Sequence, residues 1–191
     1  MHAIAINGSA RKDGNTAALL SRCLETLEGA GISGELVQLA GVQVKPCLAC
    51  GTCFKKKNSV CVQDDDVFNE IFAKMCDADI IVVGSPVYFG SATAPVMALL
   101  QRAGYVARAN GNLLSRKLGG PVAVARRAGE NFTYAQLMYF FMISDMIVPG
   151  STYWNVGIAK DKGDIDTDAE GVETIQRFAE NLAWLAKKIS A

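Results

Sequence analysis

The sequence predicts an α/β sandwich of three layers, with helices covering both faces of a five-stranded parallel sheet in the order 2-1-3-4-5. Three observations carry this. Short segments rich in Ile and Val recur along the chain, each bounded by Gly, Ser or Pro. Stretches with apolar residues at helical spacing separate them, a pattern that calls for right-handed crossovers. The length, 191 residues, suits one domain (1–191) with a sizeable core.

Taken in order, His2 to Asn7 is the first strand. A helix follows in which Leu19, Leu20, Cys23, Leu24 and Leu27 recur at helical spacing, and Gly29 or Gly31 ends it. Glu35 to Ala40 is the second strand. From about Asp65 to Met75, the residues Val67, Phe68, Ile71, Phe72 and Met75 form one apolar stripe, with Asp64 to Asp66 as cap and first-turn charge. Ile80 to Gly84 is the third strand. Its unbroken Ile80-Ile81-Val82-Val83 is what a strand buried on both faces needs. Ala94 to Val106 reads as a helix, Pro121 to Ala125 as the fourth strand and Thr133 to Met146 as another helix. The fifth strand is placed at Ile147 to Val148, extending toward Ile158. Lys160 to Thr167 is polar and reads as a surface loop. The helix Asp168 to Ile189 closes the chain, with Val172, Ile175, Phe178, Leu182 and Leu185 facing inward.

Charge narrows the function. Nineteen basic and 19 acidic side chains leave no net field to draw in nucleic acid or an anionic membrane. No apolar run reaches the roughly 20 residues that cross a bilayer, and the opening lacks a signal-peptide pattern. Four of the six cysteines fall between Cys47 and Cys61. Without a secretion signal, that clustering fits metal or redox work in a reducing cytoplasm better than a disulfide framework. The lone histidine, His2, stands at the start of the chain, and no Ser-His-Asp set is recognisable.

Two loops share the carboxyl rim of the expected sheet. Gly8-Ser9-Ala10-Arg11-Lys12-Asp13-Gly14-Asn15-Thr16 joins the first strand directly to a helix. A helix start offers unpaired N–H groups and a positive dipole end to an anion. Ser9 and Thr16 add hydroxyls, Asn15 an amide and Arg11 a charged fork. The pattern is neither GxGxxG nor GxxxxGKS, so a monophosphate fits better than a dinucleotide or triphosphate; a plain capping turn at Asn15 or Thr16 is the alternative. The second loop, Gly84-Ser85-Pro86-Val87-Tyr88-Phe89-Gly90-Ser91, leaves the third strand. At the topological switch both loops open onto one crevice, where Tyr88 and Phe89 offer surface and the N–H groups around Val87 to Gly90 offer donors to a flat ring. Ordinary packing is the alternative here. Arg126 to Asn131 leaves the fourth strand on the same rim.

Cys47, Cys50 and Cys53 follow a C-x2-C-x2-C spacing, and seven residues separate Cys53 from Cys61. Four thiolates suit an iron-sulfur cluster or a structural zinc, and free or reversibly oxidised thiols are the third reading. Cys23 and Cys76 read as small apolar helix residues. Lys55 to Lys57 adjoin the cluster and read either as a solvated loop or as a guide for an acidic partner. The aromatic and Met-rich stretch Thr133 to Gly150 exceeds what one helix face buries, which points to a homodimer or homotetramer, with a helix buried inside its own subunit as the alternative.

GSARKDGNT together with GSPVYFGSATAPV and the trailing Gln101-Arg102 resembles the NAD(P)H-dependent FMN reductases of the flavodoxin-like superfamily. The likeness spans nearly the whole chain and implies a flavodoxin-like fold and an FMN-dependent oxidoreductase. It further implies that Ser9, Arg11, Asn15 and Thr16 hold the FMN phosphate. Pro86, Val87, Tyr88, Phe89 and Gly90, with Arg126 and Gly129, would hold the ring. NAD(P)H would be the electron donor, and a small molecule or a protein the acceptor; a non-catalytic flavin-binding sensor is the alternative. The cysteine motif is similar to that of the iron-sulfur flavoproteins, which implies a 4Fe-4S cluster on Cys47, Cys50, Cys53 and Cys61, with ferredoxin as a partner. One departure is that relatives often carry a lysine and an aromatic before a DR pair, where Met97 to Arg102 reads MALLQR.

Overall fold

Ile80, Ile81, Val82 and Val83 are all fully buried. A strand with no polar face must be covered on both sides, and that demand sets the layers. In the computed structural model, which describes residues 1–190, these residues begin β3 (Ile80–Pro86) at the centre of the sheet. It lies between β1 (His2–Asn7) and β4 (Leu118–Ala125), with β2 (Ser33–Gln38) and β5 (Val156–Ile158) at the edges. All pairings are parallel and the order is 2-1-3-4-5. This is the flavodoxin-like arrangement.

On one face lie α1 (Asn15–Gly29) and α6 (Ala169–Ile189), which bury Leu19, Leu20, Phe178 and Leu182 against Ala5, Val82 and Val122. On the other lie α3 (Phe68–Asp77), α4 (Ala94–Ala109) and α5 (Glu130–Ile143), burying Phe72, Leu99 and Phe141 against Ile4, Ile81 and Val83. Alternate residues of one strand thus feed the two cores, as the two-residue period of a strand requires.

Four local differences from the sequence expectation have physical causes. The fifth strand begins only at Val156; Ile147 makes a single bridge to Leu118, and the chain then leaves the edge through Pro149 and Gly150. The second predicted helix starts at Phe68, because the Asp66 carboxylate accepts from both the Phe68 and Lys45 N–H groups and pairs with Arg102. A one-turn helix, α2 (Thr52–Lys56), sits unanticipated inside the cysteine segment. Lys160 to Thr167 is not all loop: Asp164–Thr167 forms a 3-10 turn that buries Ile165.

β3 and β4 approach so closely that a Cβ on Gly119 would overlap the Ile81 carbonyl oxygen. Gly119→Ala is therefore expected to lower the unfolding free energy by about 3 kcal/mol. Gly29→Ala, with open space around it, leaves stability unchanged or raises it by up to about 1 kcal/mol. Urea titrations of the two variants check this, and equal midpoints would contradict it.

Candidate functional site

The first rim loop is wound on its own polar groups. Asn7 ends β1 fully buried; its Oδ1 accepts from the Ser9 N–H at 3.1 Å and its Nδ2 donates to Gln38 at 2.7 Å. Gln38 in turn donates to the Lys12 carbonyl at 3.1 Å, and the Arg11 N–H donates to Ser9 Oγ at 3.1 Å. Among the described residues the N–H groups of Lys12 and Asp13 have no protein acceptor. Those of Asn15 and Thr16 open α1, where no intrahelical carbonyl precedes them. The result is a run of free donors at a positive helix end. Ser9 and Thr16 are buried in this loop and Arg11 is exposed above it. The Asn15 amide turns aside: it donates to the Asp161 carbonyl at 2.8 Å and accepts from the Gly163 N–H at 3.0 Å. The Asn15 side chain is thus committed to protein partners, and its backbone N–H at the start of α1 is what remains free.

The second loop is a tight turn rather than a row of free donors. The Val87 N–H donates to the Val124 carbonyl at 2.8 Å, and Tyr88 and Ser91 exchange backbone bonds at 2.9 and 3.1 Å. Two of the donors expected for a ring are thus committed, leaving those of Phe89 and Gly90. Both take positive φ, 52° and 80°, which is rare for a bulky aromatic. Phe89 consequently stands fully exposed at the tip, with Tyr88 half-exposed beside it and Pro86 and Val87 at the base. The third loop leans on the second. Gly129, at φ 94°, sits where a Cβ would come within 2.9 Å of Val87, while Arg126 projects into solvent.

First and second loops are bolted together. The Gly8 N–H donates to the Gly84 carbonyl at 2.8 Å. Thr93, buried at the start of α4, donates its hydroxyl to the Gly8 carbonyl at 2.7 Å and its N–H to Ser85 Oγ at 3.0 Å. Asn7, Gln38, Ser85 and Thr93 were not singled out from sequence. Their signal was a polar side chain terminating or following an otherwise apolar strand run.

Cys47, Cys50, Cys53 and Cys61 all line one cavity of about 120 Å³. Left-handed Ala49 and Gly51 turn the chain so that successive cysteines face it. Asn69 holds the returning chain, accepting from the Cys61 N–H at 2.8 Å and donating to its carbonyl at 3.0 Å. Arg102, buried on α4, clamps the loop's two ends through the Lys45 carbonyl at 3.2 Å and the Gln63 carbonyl at 2.9 Å. Its guanidinium also pairs with Asp66 and lies 4.0 Å from the centre of the Phe68 ring. Burial pushes the Asp66 carboxyl up, but the hydrogen bonds from Lys45, Arg102 and Phe68 and the Arg102 charge outweigh it, so the net direction is down.

The thiols differ among themselves. Hydrogen bonding from Thr52, aided by Lys55, holds Cys50 below the ordinary thiol range, while burial pushes Cys53 up. Cys23, enclosed in the core, is pushed up to about 12 by burial, and Cys76 moves the same way for the same reason. Neither shares the cavity. Lys55, Lys56 and Lys57 are exposed on its flank and form no ion pair among the described residues.

Four thiols without imidazole or carboxylate are the donor set of a sulfur-ligated centre. No three of them gather around a single-ion position among the described residues.

Beside the cysteine loop, α4 and α5 flank an apolar groove of about 900 Å³ that includes Met97, Tyr105, Tyr139 and Met142. No helix among the described residues is long and apolar enough to cross a membrane.

Residues 1–161 match the profile of the NADPH-dependent FMN reductases. An iron-sulfur flavoprotein of Methanocaldococcus jannaschii is 37% identical over 99% of both chains. One from Methanosarcina thermophila is 34% identical over 93% of this chain and 91% of its own. Among solved structures, RosB superposes with a TM-score of 0.79 over 100% of this chain and 80% of its own, at 18% identity. An archaeal flavodoxin does so with 0.64 over 98% and 99%, at 14%. At those identities the structural likeness speaks for the fold. With the profile covering residues 1–161 and full-length relatives above 30% identity, this chain belongs to the NADPH-dependent FMN reductase family, a family of flavin oxidoreductases on the flavodoxin-like fold.

Proposed function

We propose that this chain binds FMN across its first two rim loops, accepts electrons from NAD(P)H and passes them to a small-molecule or protein acceptor. The observation that carries this reading is the pair of loops held together at Gly8, Gly84 and Thr93: one ends in free N–H groups at a helix start, the other in an aromatic turn. Ser9, Arg11, Thr16 and the Asn15 N–H serve the phosphate. Pro86, Val87, Tyr88, Phe89 and Gly90, with Arg126 and Gly129, would hold the ring. Bound FMN supplies hydride acceptance and one-electron release, so the protein needs no acid or base of its own. Its residues orient the ring, limit solvent and, through the Phe89 and Gly90 N–H groups, stabilise negative charge that develops at the ring edge.

A second reading is favoured by the four thiols around one cavity and by the names of the relatives. Here Cys47, Cys50, Cys53 and Cys61 hold a 4Fe-4S cluster that exchanges electrons with FMN, with ferredoxin as donor. The exposed Tyr139, Met142 and Ile143 on α5 support a homodimer or homotetramer with flavin sites near subunit boundaries. The balanced charge and thiol-rich composition accord with a cytoplasmic protein.

Anaerobic addition of NADH or NADPH is expected to bleach the FMN absorption of the holoprotein; no bleaching by either nucleotide would overturn the reductase reading. Protein purified without oxygen should carry about four iron and four acid-labile sulfide per chain, and their absence would remove the cluster. Thr93→Val keeps the shape but loses the hydroxyl bond to Gly8, and should weaken FMN binding about tenfold in a fluorescence titration. Unchanged affinity would show that the two loops do not depend on that bond.

A further inference from the structure

Arg102 is the one charged side chain lining the four-thiol cavity, and it is buried to 1% exposure. A guanidinium carries five N–H donors. Here Nη1 donates to the Lys45 carbonyl and to Asp66, and Nη2 donates to the Gln63 carbonyl. Nε is buried and has no acceptor among the described residues. A buried N–H without an acceptor is costly, and native interiors avoid it. The Phe68 ring covers one face of the guanidinium plane, so a missing acceptor must lie at the planar edge. The cavity it lines is walled by four cysteine sulfurs, which accept such bonds as thiolates, as would the inorganic sulfides of a cluster held there.

We propose that Arg102 Nε–H donates a hydrogen bond to a sulfur of the centre held by Cys47, Cys50, Cys53 and Cys61, and thereby raises its reduction potential. The inference rests on the iron-sulfur reading of that cavity. Hydrogen bonds to cluster sulfurs favour the reduced, more negative state. Asp66 offsets the formal charge of Arg102 at close range, so the N–H dipole, rather than net charge, is what this residue adds. Arg102 is thus a cofactor-contacting residue as well as the clamp of the loop.

Electron-nuclear double resonance on the reduced cluster, in protein grown with ¹⁵N-arginine under anaerobic conditions, tests this. One arginine nitrogen should couple to the cluster spin together with an exchangeable proton. Arg102→Lys keeps the charge opposite Asp66 but has no Nε–H. It should lose that coupling and shift the cluster midpoint potential downward, with the FMN potential unmoved. If Arg102→Lys fails to assemble a centre, the wild-type spectrum decides alone. An intact cluster with no arginine coupling overturns the proposal while leaving the iron-sulfur reading in place. Absence of iron and sulfide from the anaerobic wild-type protein overturns both.

Discussion

Two backbones meet at Gly8 and Gly84, and the candidate crevice depends on that contact. The Gly8 N–H reaches the Gly84 carbonyl at 2.8 Å, and a Cβ on Gly8 would come within 2.9 Å of the same oxygen. On the other side of Gly84, Leu20 of α1 leaves equally little room. Neither loop can drift without breaking this bond or the Thr93 hydroxyl bond beside it. An open rim therefore becomes a defined span, with helix-start donors at one end and the Tyr88 to Ser91 turn at the other. Preorganised donors are worth more than mobile ones, because they need no reordering when a ligand arrives.

Burial of the central strands explains why polar chemistry collects at this rim. β1 and β3 have no solvent face, so their polar residues emerge where the strands end: Asn7 on one, Ser85 on the other. Each then turns a side chain back onto loop backbone. The cysteine segment obeys a similar rule from outside the sheet. It has little core of its own, and its shape is imposed by Arg102 and Asn69, two side chains that reach it from α4 and α3. Removing the arginine would leave the Asp66 carboxylate buried without its charge partner, the more damaging half of a broken ion pair.

The parts of the fold that were legible in the sequence are those governed by periodicity. Unbroken apolar runs announced β1 and β3, and the stripe from Val67 to Met75 announced α3, because burial alone dictates those patterns. The doubly wound sheet followed from the alternation of elements. Misplaced features were ones in which a long-range partner overrides local pattern. Asp66 read as a helix cap, and it does receive the Phe68 N–H, but Arg102, 36 residues away, holds it inside. Ile147 looked like the fifth strand, yet the sheet takes up the chain again only at Val156. At the rim, sequence singled out the side chains of the two loops themselves, both exposed Arg11 and Tyr88 and buried Ser9 and Thr16. It passed over Thr93 and Gln38, whose bonds are to backbone carbonyls that no spacing reveals.

The central claim is that one mononucleotide bridges the first two loops. A crystal structure of the FMN complex tests it most directly. The phosphate should accept hydrogen bonds from N–H groups between Lys12 and Thr16, with the isoalloxazine lying against Pro86 to Gly90. A flavin seated elsewhere, such as in the groove between α4 and α5, would contradict the account.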